Sequence, residues 1–221
     1  MNDTHILPLV KFQALVLAPF GVALLLLALA YGCQRTAPEP PKQVQTITLE
    51  NLQTAYAKSI RYQQMYSSFS KRAEKDRFPN VANLYRAVAR SEGVHASNHA
   101  SLMRSRQAEP QPVTIDSVVV GNTLQTLKMA LSSEELEVES MYPNLIQTAL
   151  AEKFSEAAEQ FNFTKQADAR QLDLLKDAQD RAGRIARVPY LVCTGCGYIF
   201  TSDETSECPT CHVGKDRFEK I

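Results

Sequence analysis

Two cysteine hooks stand near the end of the chain, Cys193-Thr-Gly-Cys196-Gly197-Tyr198 and Cys208-Pro209-Thr-Cys211. Four thiolates on two C-x-x-C turns make a tetrahedral metal site, and Gly197 is the residue type that supplies the left-handed conformation such a turn needs. Two disulfides are the competing reading, although cysteines this close within one hook rarely bridge without strain. Iron and zinc both accept four sulfurs, and the spacing leaves the choice between them open. A second set of candidate ligands lies upstream, in Glu92-Gly-Val-His95 and Glu134-Glu-Leu-Glu137. Residues three apart on a helix share a face, so each pair could present two ligands to one ion. Each pair also has an ordinary explanation, and Glu134, Glu135, Glu137 and Glu139 could form a solvated acidic run.

The elements that must position these residues are helical. The chain has no tryptophan and only 8 glycines in 221 residues, a composition that favours helices over sheet. Leu52, Ala55, Ser59, Tyr62, Tyr66, Phe69 and Ala73 recur at helical spacing from Thr48 onward. Pro79 opens a second helix through Leu84, Val88 and His95 to about Arg106, and the prolines of residues 107–115 break the pattern. A third helix is expected from about Asp116 past Met141, kinked or interrupted at Pro143. A fourth runs from Phe154 or Ser155 to about Ala182, with Gly183 as its stop. Two helical hairpins joined by a proline-bearing crossover describe a mainly α fold, a ferritin-like four-helix bundle over residues 48–183. Residues 184–221 form a small metal domain, with Tyr190, Tyr198, Phe200 and Phe218 as its expected aromatic core.

Lysine and arginine (24) balance aspartate and glutamate (24), so no global field points to nucleic acid as a partner. The run from Phe12 to Ala30 carries no charge and is long enough to cross a bilayer. Lys11 precedes it and a long polar domain follows, which predicts that the domain faces the periplasm or cell exterior, tethered to a membrane. Ala30 and Gly32 ahead of the lone Cys33 resemble the lipobox of bacterial lipoproteins. Residues 1–33 therefore read as a lipoprotein signal or as an uncleaved anchor, and residues 34–47, rich in proline, as a spacer.

The residues from 48 to the end resemble the rubrerythrin family, a ferritin-like di-iron bundle joined to a C-terminal rubredoxin-like domain. The pieces that carry the resemblance are Ser91-Glu92-Gly-Val-His95-Ala96, Glu134-x-x-Glu137 followed by Met141-Tyr142-Pro143, and the Cys-x-x-Cys-Gly-Tyr hook. The resemblance implies iron at Cys193, Cys196, Cys208 and Cys211, ahead of zinc, and a bundle that reduces hydrogen peroxide with electrons delivered by that iron. It implies bundle iron ligands at Glu92, His95, Glu134, Glu137 and Asp168, and it sets Tyr142 beside the metal as a catalytic proton or hydrogen-bond donor. A homodimer is the family's usual assembly, and the sequence names no redox partner.

Three positions depart from the family pattern, one of them conservatively, with Asp168 where the family has a glutamate. The first-helix carboxylate is replaced by Lys58, within Ala55-Tyr-Ala-Lys58-Ser59, and the fourth-helix histidine by Gln171, within Asp168-Ala-Arg-Gln171. Lysine cannot replace a carboxylate ligand, and the neighbours Ala55 and Tyr62 aim it inward, where its ammonium would stand in for a cation and leave one metal or none. The enzymatic reading keeps iron in the bundle. The alternative is a membrane-tethered scaffold or binding module whose bundle has lost its di-iron site and whose cysteines hold structural zinc or electron-transfer iron. His99, a turn beyond His95, is either a substitute ligand or a core residue, and His212 is expected at the surface.

Overall fold

The computed structural model describes residues 46–115, 117, 119–202 and 205–221, so the apolar run, Cys33 and most of the spacer lie outside the described residues. The first helix, α1 (Ile47–Lys75), starts where Thr46 Oγ1 accepts the N–H of Leu49. The carboxylate of Glu152 accepts the N–H groups of Ile47 and Thr48, so a distant turn caps the same end. Helix α2 (Pro79–Ser105) begins on Pro79, whose missing N–H costs nothing in a first turn. The two helices form a hairpin around Tyr66, Phe69 and Tyr85, three buried rings with centroids 5.6–5.9 Å apart.

The third helix starts later than the pattern predicts. Asp116 lies outside the described residues, and α3 (Thr123–Leu136) begins only after Asn122, which caps it. Asn122 Oδ1 accepts the N–H of Gln125 and the Gln125 side chain accepts the N–H of Asn122, a capping box that sets the boundary. Asp76, just past the end of α1, accepts both the N–H and the hydroxyl of Thr123 at 2.8 Å and also faces Arg72 Nε at 2.9 Å. It ties the far end of the crossover to the first hairpin.

Helix α3 passes into a π-helical turn, Glu137–Met141, and then into α4 (Tyr142–Ala151). Pro143 has no N–H to give to the α-helical ladder, and the widened turn ahead of it absorbs that loss. Buried positions along α3 fall at Leu127, Ala130, Glu134 and Glu137, at spacings of three and four. Across the π turn the next buried position is Tyr142, and the ordinary spacing resumes at Leu145 and Ala149.

Helix α5 (Ser155–Asp180) starts as expected but stops short of Ala182, because Ala182 (φ 49°) and Gly183 (φ 76°) both take the left-handed conformation that ends a helix. A three-stranded antiparallel sheet follows in the order β2-β1-β3, from β1 (Leu191–Cys193), β2 (Ile199–Phe200) and β3 (Phe218–Lys220). Tyr198, Phe200 and Phe218 surround the cysteines as expected, whereas Tyr190 packs into the bundle core instead. It lies just before the first strand, with Arg170 and Asp177 of α5 close to it, so its ring serves the join between the two parts. Bundle and sheet belong to one compact unit, Gln43–Ile221. No helix among the described residues is long and apolar enough to cross a membrane.

The Arg72 guanidinium beside Asp76 holds its carboxyl below the usual aspartate range, with Thr123 assisting. A lowered folded value stabilises the fold above the unfolded value of about 3.9, and that contribution disappears as pH falls through the folded value. The Asp76→Ala variant should be about 1 kcal/mol less stable than the parent at pH 7, a modest figure because the group is partly solvated. Urea unfolding at a series of pH values should show this gap closing below about pH 4; a gap independent of pH would contradict the role given to Asp76.

Candidate functional site

The cysteine hooks are two copies of one turn. Gly197 N–H donates to Cys193 O at 2.8 Å, and His212 N–H donates to Cys208 O at 3.0 Å. The residue after each second cysteine is left-handed, Gly197 at φ 86° and His212 at φ 61°. Histidine is among the non-glycine types that tolerate this region, which explains why the second hook dispenses with glycine. His212 is exposed, as expected, and pairs with Glu207 at 2.7 Å.

All four cysteines are free, and the Cys193–Cys211 and Cys196–Cys208 sulfurs each lie 3.6 Å apart. That rules for a metal cage over two disulfides, because a tetrahedral ion with bonds of about 2.3 Å places its sulfurs about 3.8 Å apart. The four sulfurs all fall within 4.8 Å of one another. Sulfur contacts among the cysteines push the Cys208 thiol down and the Cys193 and Cys196 thiols up, so the four cannot all ionise together unless a cation sits among them.

In the bundle the chain brings Glu92, His95, Glu134, Glu137 and Asp168 together, each almost wholly buried. Their neighbours Glu135 and Glu139 point to solvent, so the acidic run is split by helical geometry into a buried and an exposed half. Two clusters result, Glu92/His95/Asp168 and Glu134/Glu137/Asp168, with ligand atoms in each within 4.8 Å of one another. His95 Nδ1 lies 3.4 Å from Glu92 Oε1 and 3.5 Å from Asp168 Oδ1. Bonds of about 2.1 Å to a shared ion would place adjacent donors roughly 3.0–3.4 Å apart, so this spacing fits ligands better than direct hydrogen bonds. Both Glu92 oxygens, His95 Nδ1, Glu134 Oε2 and Asp168 Oδ2 are buried without a hydrogen-bond partner. Convergent buried donors of this kind are the signature of a cation site.

The electrostatics carry the strain of that arrangement. Burial pushes the Glu134 carboxyl up to about 8, and the charge of Glu92 adds to the rise against the pull of Lys58 and Tyr66. Burial, Glu92 and Glu134 push Asp168 well above the carboxylate range. Burial would raise Glu92 too, but His95, Lys58 and Ser59 outweigh it and hold that carboxyl low. Lys58 points inward, as its neighbours imply, with its Nζ in contact with Glu137 and 4.2 Å from the centre of the Tyr62 ring. Tyr142 is buried with its hydroxyl unpartnered, and burial together with Asp168 keeps it protonated far above neutral pH. His99 joins neither cluster. It is a core residue packed 5.7 Å from the Phe161 ring, and burial pushes it down to about 3, which keeps it neutral.

Several residues that join the two centres had no assigned role in the sequence. The first hook rests on α2, where Ser91 Oγ donates to Gly197 O at 2.6 Å and Asn98 Nδ2 to Gly195 O at 2.8 Å. His95 Nε2 lies 3.0 Å from Cys196 O. A carbonyl only accepts, so Nε2 carries the proton and Nδ1 is the free lone pair that faces Glu92 and Asp168. Gln171 Nε2 donates to Ser91 Oγ at 3.1 Å and Asp168 Oδ1 at 3.0 Å, and its Oε1 is buried without a partner. Tyr66 donates to Glu134 Oε1 at 2.5 Å. The one usable signal was spacing, since Ser91 and His95 stand four apart and so face the same way on α2.

Comparison with known proteins agrees with both halves of this geometry. The rubrerythrin family model matches residues 50–178, and that of the rubrerythrin rubredoxin-like domain matches residues 192–219. The chain is 29% identical over 180 residues to rubrerythrin-2 of Clostridium acetobutylicum, covering 78% of this chain and 96% of that protein. It is 26% identical over 171 residues to nigerythrin of Nitratidesulfovibrio vulgaris, covering 77% and 85%. A solved structure of nigerythrin in its fully reduced, all-ferrous state superposes with a TM-score of 0.72 at 26% identity, over 84% of this chain and 91% of that one. With a ferritin-like bundle, a rubredoxin-like cysteine site and a buried carboxylate–histidine cluster, the chain belongs to the rubrerythrin family.

Proposed function

We propose that this protein is a redox enzyme in which iron at the four cysteines passes electrons singly to iron in the bundle, where hydrogen peroxide is reduced to water. The observation that carries the reading is His95, one ring that faces the bundle ligands through Nδ1 and holds the Cys196 carbonyl through Nε2. Iron, when bound at both centres, supplies one-electron chemistry, and the all-ferrous nigerythrin supports iron ahead of zinc. The chain's own residues do the rest. Gly197, Ser91 and Asn98 fix the hook against α2, so the ring and the cysteine turn keep one separation.

Reduction of one peroxide to two waters takes two electrons and two protons. Tyr142, buried and protonated, is placed to give a hydrogen bond or a proton to a bound oxygen species. The electrons come from a one-electron donor outside the chain. On this reading the apolar run of residues 12–30 and the proline-bearing spacer would hold the redox unit beside a membrane. The contact between Lys58 and Glu137 favours the second reading, a scaffold with a metal-free bundle.

Peroxide mixed with the reduced, iron-loaded protein should reoxidise the cysteine iron, followed by its charge-transfer absorption. Zinc at the cysteines, or no reoxidation, would leave only the scaffold. A Cβ at Gly197 would collide with His95 Nε2 and lie 2.6 Å from Ser91 Oγ. The Gly197→Ala variant should therefore keep the cysteine-site spectrum and slow reoxidation by about 100-fold, since a displacement near 1 Å can cost that much. An unchanged rate would remove the hook contact from the electron route. Tyr142→Phe should retain its iron and lose about 100-fold in peroxide turnover, and a loss below about threefold would assign the tyrosine to packing alone.

A further inference from the structure

We infer that the bundle is built for one metal ion, held by Glu92, His95 and Asp168, with the Lys58 ammonium standing against Glu137 where a second ion would otherwise be neutralised. The inference rests on the reading of the bundle as a metal centre and sets how many ions that centre takes.

The two ligand clusters are not equivalent. Glu92/His95/Asp168 includes a nitrogen donor whose proton is fixed on the far side of the ring, whereas Glu134/Glu137/Asp168 is all carboxylate and already has a cation at Glu137. Lys58 is held there by more than charge. Its side chain is 15% exposed, and its Nζ sits over the Tyr62 ring at 4.2 Å and 5.8 Å from the Tyr142 ring. A divalent ion placed beside an ammonium is repelled roughly twice as strongly as a unit charge at the same distance, and in a buried setting that repulsion is only weakly screened.

The donor atoms point the same way. Gln171 takes Asp168 Oδ1 and Tyr66 takes Glu134 Oε1, so each of these carboxylates has one oxygen left without a partner. Both Glu137 oxygens are also without a hydrogen bond, but they face the Lys58 ammonium; away from it, both Glu92 oxygens, His95 Nδ1, Asp168 Oδ2, Glu134 Oε2 and Gln171 Oε1 make a set for one ion of about four to six donors. Charge closes equally well. In the ferric state one ion and one ammonium balance the four carboxylates Glu92, Glu134, Glu137 and Asp168, whereas two ferric ions beside the ammonium would leave a strongly positive core.

The test counts metal without reading turnover. The full chain is loaded with Fe(II) without oxygen, freed of excess iron, and examined by elemental analysis and Mössbauer spectroscopy after oxidation. The expected result is about two iron atoms per chain, one rubredoxin-like and one isolated high-spin ion, with no spin-coupled pair. Lys58→Glu should raise the count to about three and produce the coupled pair, while Lys58→Gln, which removes the repelling ammonium without supplying a carboxylate, should raise it above two but short of three. Near three irons in the parent, near one, or a Lys58→Glu variant that folds and still holds two would each overturn the inference. Should Lys58→Glu fail to fold, the counts of the parent and of Lys58→Gln decide. Three irons with peroxide reduction would sink this inference and leave the function standing, and two irons without it would do the reverse.

Discussion

Four carboxylates packed into one helical core repel each other and cannot all remain charged without cations beside them. This constraint shapes the middle of the molecule. Each acid has been given a specific counterweight: His95 beside Glu92, the Tyr66 hydroxyl on Glu134, Lys58 on Glu137, and the Gln171 amide on Asp168. These contacts leave several buried donor atoms facing inward without a partner. The core is therefore less a packed interior than a cage whose walls are partly neutralised in advance.

The same residues bind the two halves of the chain together. Ser91 and His95 give their outer atoms to the carbonyls of Gly197 and Cys196, and Gln171 connects Ser91 to Asp168. Arg90 reaches Glu219 at 2.7 Å and Arg170 reaches the Ile199 carbonyl at 3.2 Å, so the sheet is fastened on both sides of that contact. The two candidate metal sites are thus joined by a few hydrogen bonds through Ser91, His95 and Gln171. Gln171 is the clearest instance, since its amide holds Asp168 and the docking serine together.

Local chemistry was legible in the sequence, and long-range placement was not. The hooks could be read because a C-x-x-C turn is its own structure, and the helices because burial on α1 repeats along one face. Lys58 could be aimed inward because it stands three after Ala55 and four before Tyr62 on that face. The start of α3 was missed because the capping box at Asn122 and Gln125 is polar and carries no periodicity. The π turn was only hinted at by Pro143, which marks a fault in the ladder without saying how it is absorbed. The roles of Ser91 and Gln171, and the place of Tyr190 in the bundle core, depend on contacts between residues far apart in the chain. No pattern within either segment encodes them.

The central claim is that a bundle metal sits against His95, on the side away from Lys58, and is joined through that ring to the cysteine site. Anomalous diffraction at the iron edge from crystals of the iron-loaded full chain tests it most directly. The account predicts one peak among the four cysteine sulfurs and one about 2.1 Å from His95 Nδ1, with Cys196 O still hydrogen-bonded to Nε2 and Lys58 still on Glu137. A peak between Glu134 and Glu137 with Lys58 displaced, or no peak beside His95, would contradict it.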